Sequence, residues 1–167
     1  QTEDVATGAS DEGLRDERGD VIVPYLMDLP KLDRFVVFDL ETTGIRPDRD
    51  QIIQIAAVRM LDGEPREAEA EDGSTQAAVF NEYARLDVDR KLSYGLKLKL
   101  GFVDHPDWEQ ELERADVVEE VLLRFRQWVG DLPLVAHNAE FDHTFLKQAA
   151  DTIGWEIKNR IVDTMEL

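Results

Sequence analysis

Asp39 and Glu41 close the stretch FVVFDLE and are the first residues whose types and spacing could do chemistry. The apolar run at residues 35–38 is rich in β-branched and aromatic residues, which predicts a strand buried on both faces. Because side chains alternate along a strand, both acids would lie on one face, about 7 Å apart, and repel each other by about 2 kcal/mol at an effective dielectric near 20. A hard cation such as magnesium would offset that charge. A solvated strand end followed by a Thr-Thr-Gly turn explains the same residues equally well.

A third acid, Asp142, lies in the stretch HNAEFDHTFLKQAADTIG. The pattern around it predicts a strand at 134–137 and a helix at 140–153, ended by Gly154. The apolar stripe of that helix consists of Phe141, Phe145, Ala149 and Ile153. Asp142 falls in the first helical turn, where the helix dipole favours a carboxylate, so a structural role alone would account for it.

Composition limits the classes of protein that this chain can represent. With 167 residues and 43% hydrophobic composition, the chain can form one domain with a real core. No apolar run approaches a membrane span and no signal peptide is present, which predicts a soluble, cytoplasmic protein without membrane contact. The absence of cysteine excludes disulfides, thiolate metal sites and cysteine nucleophiles. A net charge of -18 opposes phosphate-rich partners unless metal ions or a local basic patch intervene.

The polar character of the N-terminal part predicts three regions. Residues 1–20 are acidic and almost free of large apolar side chains, which indicates a disordered tail or linker. Residues 21–33 form a connecting segment, and the domain extends over 34–167.

Further elements follow from periodicity and turn signals. Strands are predicted at 52–61 and 77–86, joined by a charged loop without any other role. A helix is predicted at 116–129, with Asp116 and Glu119 in an N-cap arrangement and Gly130 as its C-terminal cap.

The segment RKLSYGLKLK, residues 90–99, is the only basic cluster of the chain. It could be a surface loop that balances nearby acid. It could also contact a nucleic-acid backbone, with Tyr94 available to stack on a base and Lys97 to pair with a phosphate. The sequence alone leaves both interpretations open.

Three stretches in register resemble the DnaQ-like family of 3′→5′ exonucleases, the DEDD superfamily. They are the first motif, DLETTG from Asp39, the second motif, HNAEFDHTFL from His137, and IVDTMEL from Ile161, which looks like the strand that follows in this family; the resemblance covers residues 34–167. It implies an α/β, ribonuclease-H-like fold, with a mixed sheet whose first three strands are antiparallel and whose faces carry helices. It also implies two Mg²⁺ or Mn²⁺ ions held by four carboxylates.

Three of those carboxylates match Asp39, Glu41 and Asp142, which the resemblance makes catalytic residues and metal ligands. Thr42, Thr43 and Asn138 match positions that line the nucleotide site in relatives, although turn and helix-start hydrogen bonding would also explain them. The remaining residues expected to contact substrate are His137, Phe141, Tyr94 and Lys97.

The chain departs from the family pattern in two places. The third motif, a His or Tyr followed by the fourth metal-binding Asp, would follow the strand of Asp163 and is absent from these residues, so we expect the general base and fourth ligand downstream. Residues 94–115 replace a shorter threonine-containing turn that is common among relatives. The substrate contacts of the relatives are therefore least applicable to this segment.

The resemblance implies a metal-dependent 3′→5′ exonuclease that removes nucleotides from single-stranded DNA 3′ ends in replication proofreading or repair. Such a domain would be part of, or bound to, a larger polymerase or helicase. One alternative is a catalytically incomplete module that docks a polymerase or helicase. A further alternative is an RNA-trimming exonuclease, because nothing in the sequence reads the 2′-hydroxyl.

Overall fold

Two long strands with alternating apolar residues build the centre of a mixed sheet. The computed structural model describes residues 32–166, so the predicted tail and nearly all of the connecting segment lie outside the described residues. The strands are β1 (Arg34–Thr42), β2 (Ile52–Leu61), β3 (Glu64–Pro65), β4 (Ala68–Glu69), β5 (Thr75–Gln76), β6 (Val79–Tyr83), β7 (Leu134–Ala136) and β8 (Ile161–Asp163). The helices are α1 (Tyr94–Lys99), α2 (Trp108–Arg114), α3 (Val118–Val129) and α4 (Ala139–Asp151), with short 3₁₀ turns at Phe102–Asp104 and Thr164–Glu166.

The sheet topology agrees with the expected fold class. β1 pairs antiparallel with β2, and β2 pairs antiparallel with β6, which confirms the predicted three-strand meander. β7 lies parallel to β1 on its other side, and β8 lies parallel to β7. β3 also pairs antiparallel with β2, on the same edge of β2 as β6.

One face of β1 is buried, not both. Val36, Phe38 and Leu40 are buried in the main core, whereas Val37 is 41% exposed. The prediction of a strand buried on both faces was therefore wrong, because an apolar run alone does not show which side a helix layer will cover.

Helices α3 and α4 cover the face of the sheet that Val36, Phe38 and Leu40 share. Phe125 of α3 and Phe145 and Leu146 of α4 are buried against these strand residues. α3 begins at Val118 and not at the predicted Asp116, whose carboxylate pairs with Arg124 at 3.0 Å (Oδ2 to Nη1). Gly130 adopts a positive φ of 57° directly after α3, as a C-terminal cap requires.

The segment between β6 and α3 builds a second, smaller core. Ile53 of β2 is buried with Leu92, Phe102 and Leu112, and Trp108 stacks on Phe102 with ring centroids 5.1 Å apart. The basic segment is therefore not a plain surface loop: it contains α1, whose N-terminus is capped by the Ser93 hydroxyl.

The charged connection after β2 is also more than a loop. It forms β3 and the separate two-stranded β4–β5 hairpin. Arg59 of β2 is 4% exposed and donates to the carbonyl oxygens of Ala77 and Trp128 and to Gln76 Oε1. The buried guanidinium thus fixes the end of the hairpin onto α3.

The other predicted elements occur with shifted ends. β6 is shorter than the predicted strand 77–86, β7 ends one residue early, and α4 runs from 139 to 151 instead of 140 to 153. Within residues 32–166, no helix is both long enough and apolar enough to cross a membrane.

Candidate active site

The C-terminal end of β1 carries the first two acids. Asp39 pairs across the sheet with Ala56 and Glu41 with Gln54, so alternation places both on the face opposite the buried Leu40. A register shift follows between Glu41 and Thr42. Ile53 of β2 is the residue left without a partner there, so regular pairing is interrupted where the two acids end.

Asp142 approaches the same strand end from α4. It lies in the first turn of that helix, as predicted, and is only 4% exposed. Burial raises the pKa of Asp142 to about 7, and the negative charges of Asp39 and Glu41 add to the rise. The backbone N–H of Leu40 opposes that rise by hydrogen bonding to the carboxylate.

Asp39 is more exposed than Asp142, but its pKa is also raised by burial and by a neighbouring acid. Its pKa is raised first by the loss of surrounding water and then by the charge of Glu41. The Leu40 N–H and the ammonium of Lys99 act in the opposite direction. Three carboxylates therefore influence one another around the β1 end, and their mutual repulsion is only partly compensated.

Lys99, the last residue of α1, supplies a cation at this site. Its Nζ donates to Glu41 Oε2 at 2.9 Å. The hydrogen bond to Glu41 raises the pKa of Lys99, and the charges of Asp39 and Asp142 contribute to the rise. Lys99 is thus the positive group that faces all three acids.

The donor set fits a hard divalent cation. Within the described residues, no three His, Cys, Asp or Glu side chains are gathered closely enough to hold an ion as they stand. The chemistry is nonetheless suitable, because carboxylate oxygens are the ligands that Mg²⁺ and Mn²⁺ prefer. A cation here would relieve the repulsion that raises the pKa values of Asp39 and Asp142.

The turn after β1 holds Thr42 and Thr43 by local hydrogen bonds. The Thr42 hydroxyl donates to the Gly44 carbonyl oxygen at 2.6 Å, and the Thr43 hydroxyl donates to Asp50 Oδ1 at 3.2 Å. Asp50 also accepts from the Arg46 backbone N–H at 2.8 Å. A Cβ on Gly44 would overlap the Asp50 carboxylate, so a larger residue there would have to displace that side chain. Both threonines thus have structural roles in this turn.

The start of α4 is fixed by an acid from a distant strand. Asn138 adopts a left-handed conformation with φ of 62°, and its side chain makes no cap hydrogen bond. Asp163 at the end of β8 instead accepts the backbone N–H groups of Asn138 and Ala139 at 3.1 and 2.8 Å. The Met165 backbone N–H, followed by those of Ala139 and Asn138, lowers the pKa of Asp163 by hydrogen bonding to its carboxylate.

The other residues predicted to contact substrate occupy varied positions. His137 follows β7 and its Nδ1 lies 3.0 Å from the Thr164 hydroxyl. Phe141 is half-buried and packs on Phe145, with ring centroids 4.9 Å apart. Tyr94 is exposed on α1. The Nζ of Lys97 lies over the Trp108 ring and 3.7 Å from Glu109 Oε1. Its partners are therefore Trp108 and Glu109 and not the three acids.

Sequence reasoning missed the special position of Lys99 and the capping role of Asp163. Lys99 was one cation in a basic run, and only the packing of α1 near Ile53 distinguishes it from Lys97. Asp163 was visible in the IVD stretch, but its contact with Asn138 depends on the parallel pairing of β8 with β7.

Comparison with known proteins defines the class of fold first. The zinc-ion-bound form of the E. coli exonuclease I–single-stranded DNA complex superposes with a TM-score of 0.57 and 18% identity, covering 81% of this chain and 29% of that one. A product-bound exonuclease I structure gives a TM-score of 0.59 at 18% identity, covering 81% of this chain and 31% of that one. The fold is therefore the ribonuclease-H-like α/β fold of exonuclease I.

Sequence comparison then gives the family. Residues 36–96 match the RNase_T family model, described as Exonuclease. DNA polymerase III PolC-type of Staphylococcus haemolyticus (strain JCSC1435) is 36% identical over 135 residues. The matched region is 80% of this chain and 8% of that polymerase. The chain belongs to the DnaQ-like (DEDD) exonuclease family, whose members use divalent metal ions.

Proposed function

We propose that this domain is a metal-dependent 3′→5′ exonuclease that removes nucleotides from DNA 3′ ends. The observation that carries the proposal is the buried carboxyl of Asp142 near the end of β1, whose pKa is raised to about 7 by burial and by the negative charges of Asp39 and Glu41. A buried acid with a strongly perturbed pKa beside two others is typical of a functional site. The family membership of the chain supports the same chemistry.

In this proposal the three acids hold two Mg²⁺ or Mn²⁺ ions. Such ions would lower the pKa of an attacking water and stabilise the charge that develops on the scissile phosphate. Asp142 lies in the first turn of α4, whose start is capped by Asp163, and Glu41 is the last residue of β1 before its regular pairing with β2 is interrupted. The fixed turn after β1 keeps Thr42 and Thr43 beside the acids, where they would line the nucleotide site.

The second motif and the basic helix would complete the substrate site. We propose that His137, Asn138 and Phe141 border the terminal nucleotide, since they flank Asp142 at the start of α4. Tyr94 is exposed and free to stack on a base further along the strand. Lys97 would join the site only by leaving Trp108 and Glu109.

We further propose that the domain is part of a larger DNA polymerase polypeptide and acts in the cytoplasm on replicating DNA. The support is the PolC-type relative, of whose length the chain spans 8%. The general base and the fourth carboxylate would come from the third motif downstream.

The test is release of nucleotides from a 5′-labelled single strand by a polypeptide that contains this domain and its third motif, with Mn²⁺ present. Asp39→Asn and Asp142→Asn should each lower the rate about 10²-fold or more, since each removes a carboxylate ligand of the ions that stabilise the charge on the reacting phosphate. Asp151→Asn, at the exposed end of α4, is the matched control and should leave the rate unchanged. An RNA strand of the same sequence shows whether the substrate is DNA.

The ion pair between Lys99 and Glu41 favours a second candidate, a module that keeps the fold for docking a polymerase or helicase. An ammonium already compensates part of the acidic charge without any metal. Absence of strand shortening by the polypeptide that carries the third motif would support this role over hydrolysis.

A further inference from the structure

Lys99 lies where a divalent cation would contact Glu41, so the two cations would compete for the same carboxylate. Its ammonium is bonded to Glu41, and the Glu41 side chain is only 18% exposed whereas that of Lys99 is 68% exposed. The lysine therefore reaches into the acidic site from solvent while its partner stays in the protein. A divalent cation bound to the same Glu41 oxygen would repel the ammonium and displace it.

The helix that carries Lys99 is held firmly on the sheet. Ser93 caps the start of α1 by accepting the Leu96 backbone N–H at 3.2 Å. Leu96 and Leu100 pack against the small core around Ile53. The backbone of Lys99 is therefore fixed beside the acids, and only its flexible side chain needs to move when the ion pair opens.

A displaced Lys99 would remain next to the reacting strand. The chain as a whole carries a net charge of -18, which repels phosphates. A free ammonium at the site would offset that repulsion locally and attract a phosphate. Neutralisation of DNA phosphates by Lys or Arg supplies much of the affinity of proteins for nucleic acid.

We propose that Lys99 is an exchangeable cation of the active site, which pairs with Glu41 until a divalent ion binds and then pairs with a phosphate of the DNA strand. The DNA part rests on the proposed function, whereas the exchange at Glu41 does not. The exchange gives metal binding and DNA binding a shared residue, so each promotes the other.

The first experiment measures Mn²⁺ binding to the 167-residue chain by calorimetry and by the paramagnetic resonance of free Mn²⁺. Lys99→Met should bind Mn²⁺ about two- to fivefold more tightly, the range that loss of one partly exposed ion pair corresponds to. Lys97→Met removes the same charge from the same helix without touching Glu41, and should change the affinity less. Lys99→Arg keeps the cation and should resemble the wild type.

The second experiment measures binding of a fluorescent single strand by anisotropy, with Ca²⁺ in place of Mn²⁺ to limit hydrolysis. Lys99→Met should weaken binding severalfold and lower the salt slope by about one, but only when the divalent ion is present. Lys99→Arg should restore binding, and Lys158→Met, at a lysine paired only loosely with Glu156 at 3.7 Å, should have no effect.

Failure of this proposal is distinguishable from failure of the proposed function. Unchanged or weaker Mn²⁺ binding by Lys99→Met, absence of Mn²⁺ binding by the wild type, or a DNA defect of equal size without divalent ion would each overturn the exchange. Tighter Mn²⁺ binding by Lys99→Met, together with no shortening of DNA by the polypeptide that carries the third motif, would support the exchange at Glu41 and refute the exonuclease.

Discussion

Replacement of Asp142 by Asn should stabilise the metal-free protein, and increasingly so as the pH rises. The carboxyl of Asp142 is buried beside two other acids and has a pKa of about 7, compared with an ordinary value of 3.8. The folded protein therefore binds more protons than the unfolded chain between these two values. Its stability is highest below the unfolded pKa and falls as the pH rises towards the folded pKa.

The size of the effect follows from the two pKa values. Each pKa unit corresponds to 1.36 kcal/mol, so ionisation of Asp142 costs the folded state up to about 4 kcal/mol at pH 8 and about 0.5 kcal/mol at pH 4. Asn has nearly the same shape and keeps an oxygen for the Leu40 N–H, but it does not ionise. The gain in stability of Asp142→Asn should therefore grow from pH 4 to pH 8 by several kcal/mol.

The assay is urea unfolding with a chelator present, at pH 4.5, 6 and 8, for the wild type, Asp142→Asn and the control Asp151→Asn. Mn²⁺ should recover stability in the wild type at pH 8, because the cation offsets the carboxylate charge, and should do so much less in Asp142→Asn. A difference between wild type and Asp142→Asn that does not change with pH would refute the assignment of a destabilising charge to Asp142.

Three further outcomes can be checked by thermal or urea unfolding. Asp39→Ala should abolish the stabilisation by Mn²⁺, and an equal shift in wild type and variant would exclude Asp39 as a ligand. Gly44→Ala should lower the free energy of unfolding by about 1 to 3 kcal/mol because its Cβ would overlap the Asp50 carboxylate. Gly95→Ala, with open space around it, should be neutral or should raise that free energy by about 0.5 kcal/mol. Arg59→Met should lower the free energy of unfolding by about 1 to 3 kcal/mol because it leaves buried acceptors without a donor. The control Arg126→Met, at an exposed arginine, should lower it little. Equal losses of stability in the two variants would contradict this account.

The meander, both packed helices and the three acids could be predicted because each depends on local pattern. Alternation along β1 places Asp39 and Glu41 on one face, and the periodicity of α4 puts Asp142 in its first turn. The hairpin after β2 could not be predicted, because its position depends on the distant contact between Arg59 and the Trp128 carbonyl. The burial of only one face of β1 likewise depends on where the helices pack and not on the strand itself.

The Asp163 cap of α4 has a consequence for the order in which the protein is made. A ribosome delivers the chain from its N-terminus, so the segment of α4 emerges before the carboxylate that holds its first turn. The left-handed start at Asn138 gains its acceptor only once β8 has paired with β7. A nascent chain that lacks β8 therefore holds the first turn of α4, and Asp142 within it, less firmly than the complete sheet does. Completion of the β8 edge thus stabilises the position of an acid that lies on a different element.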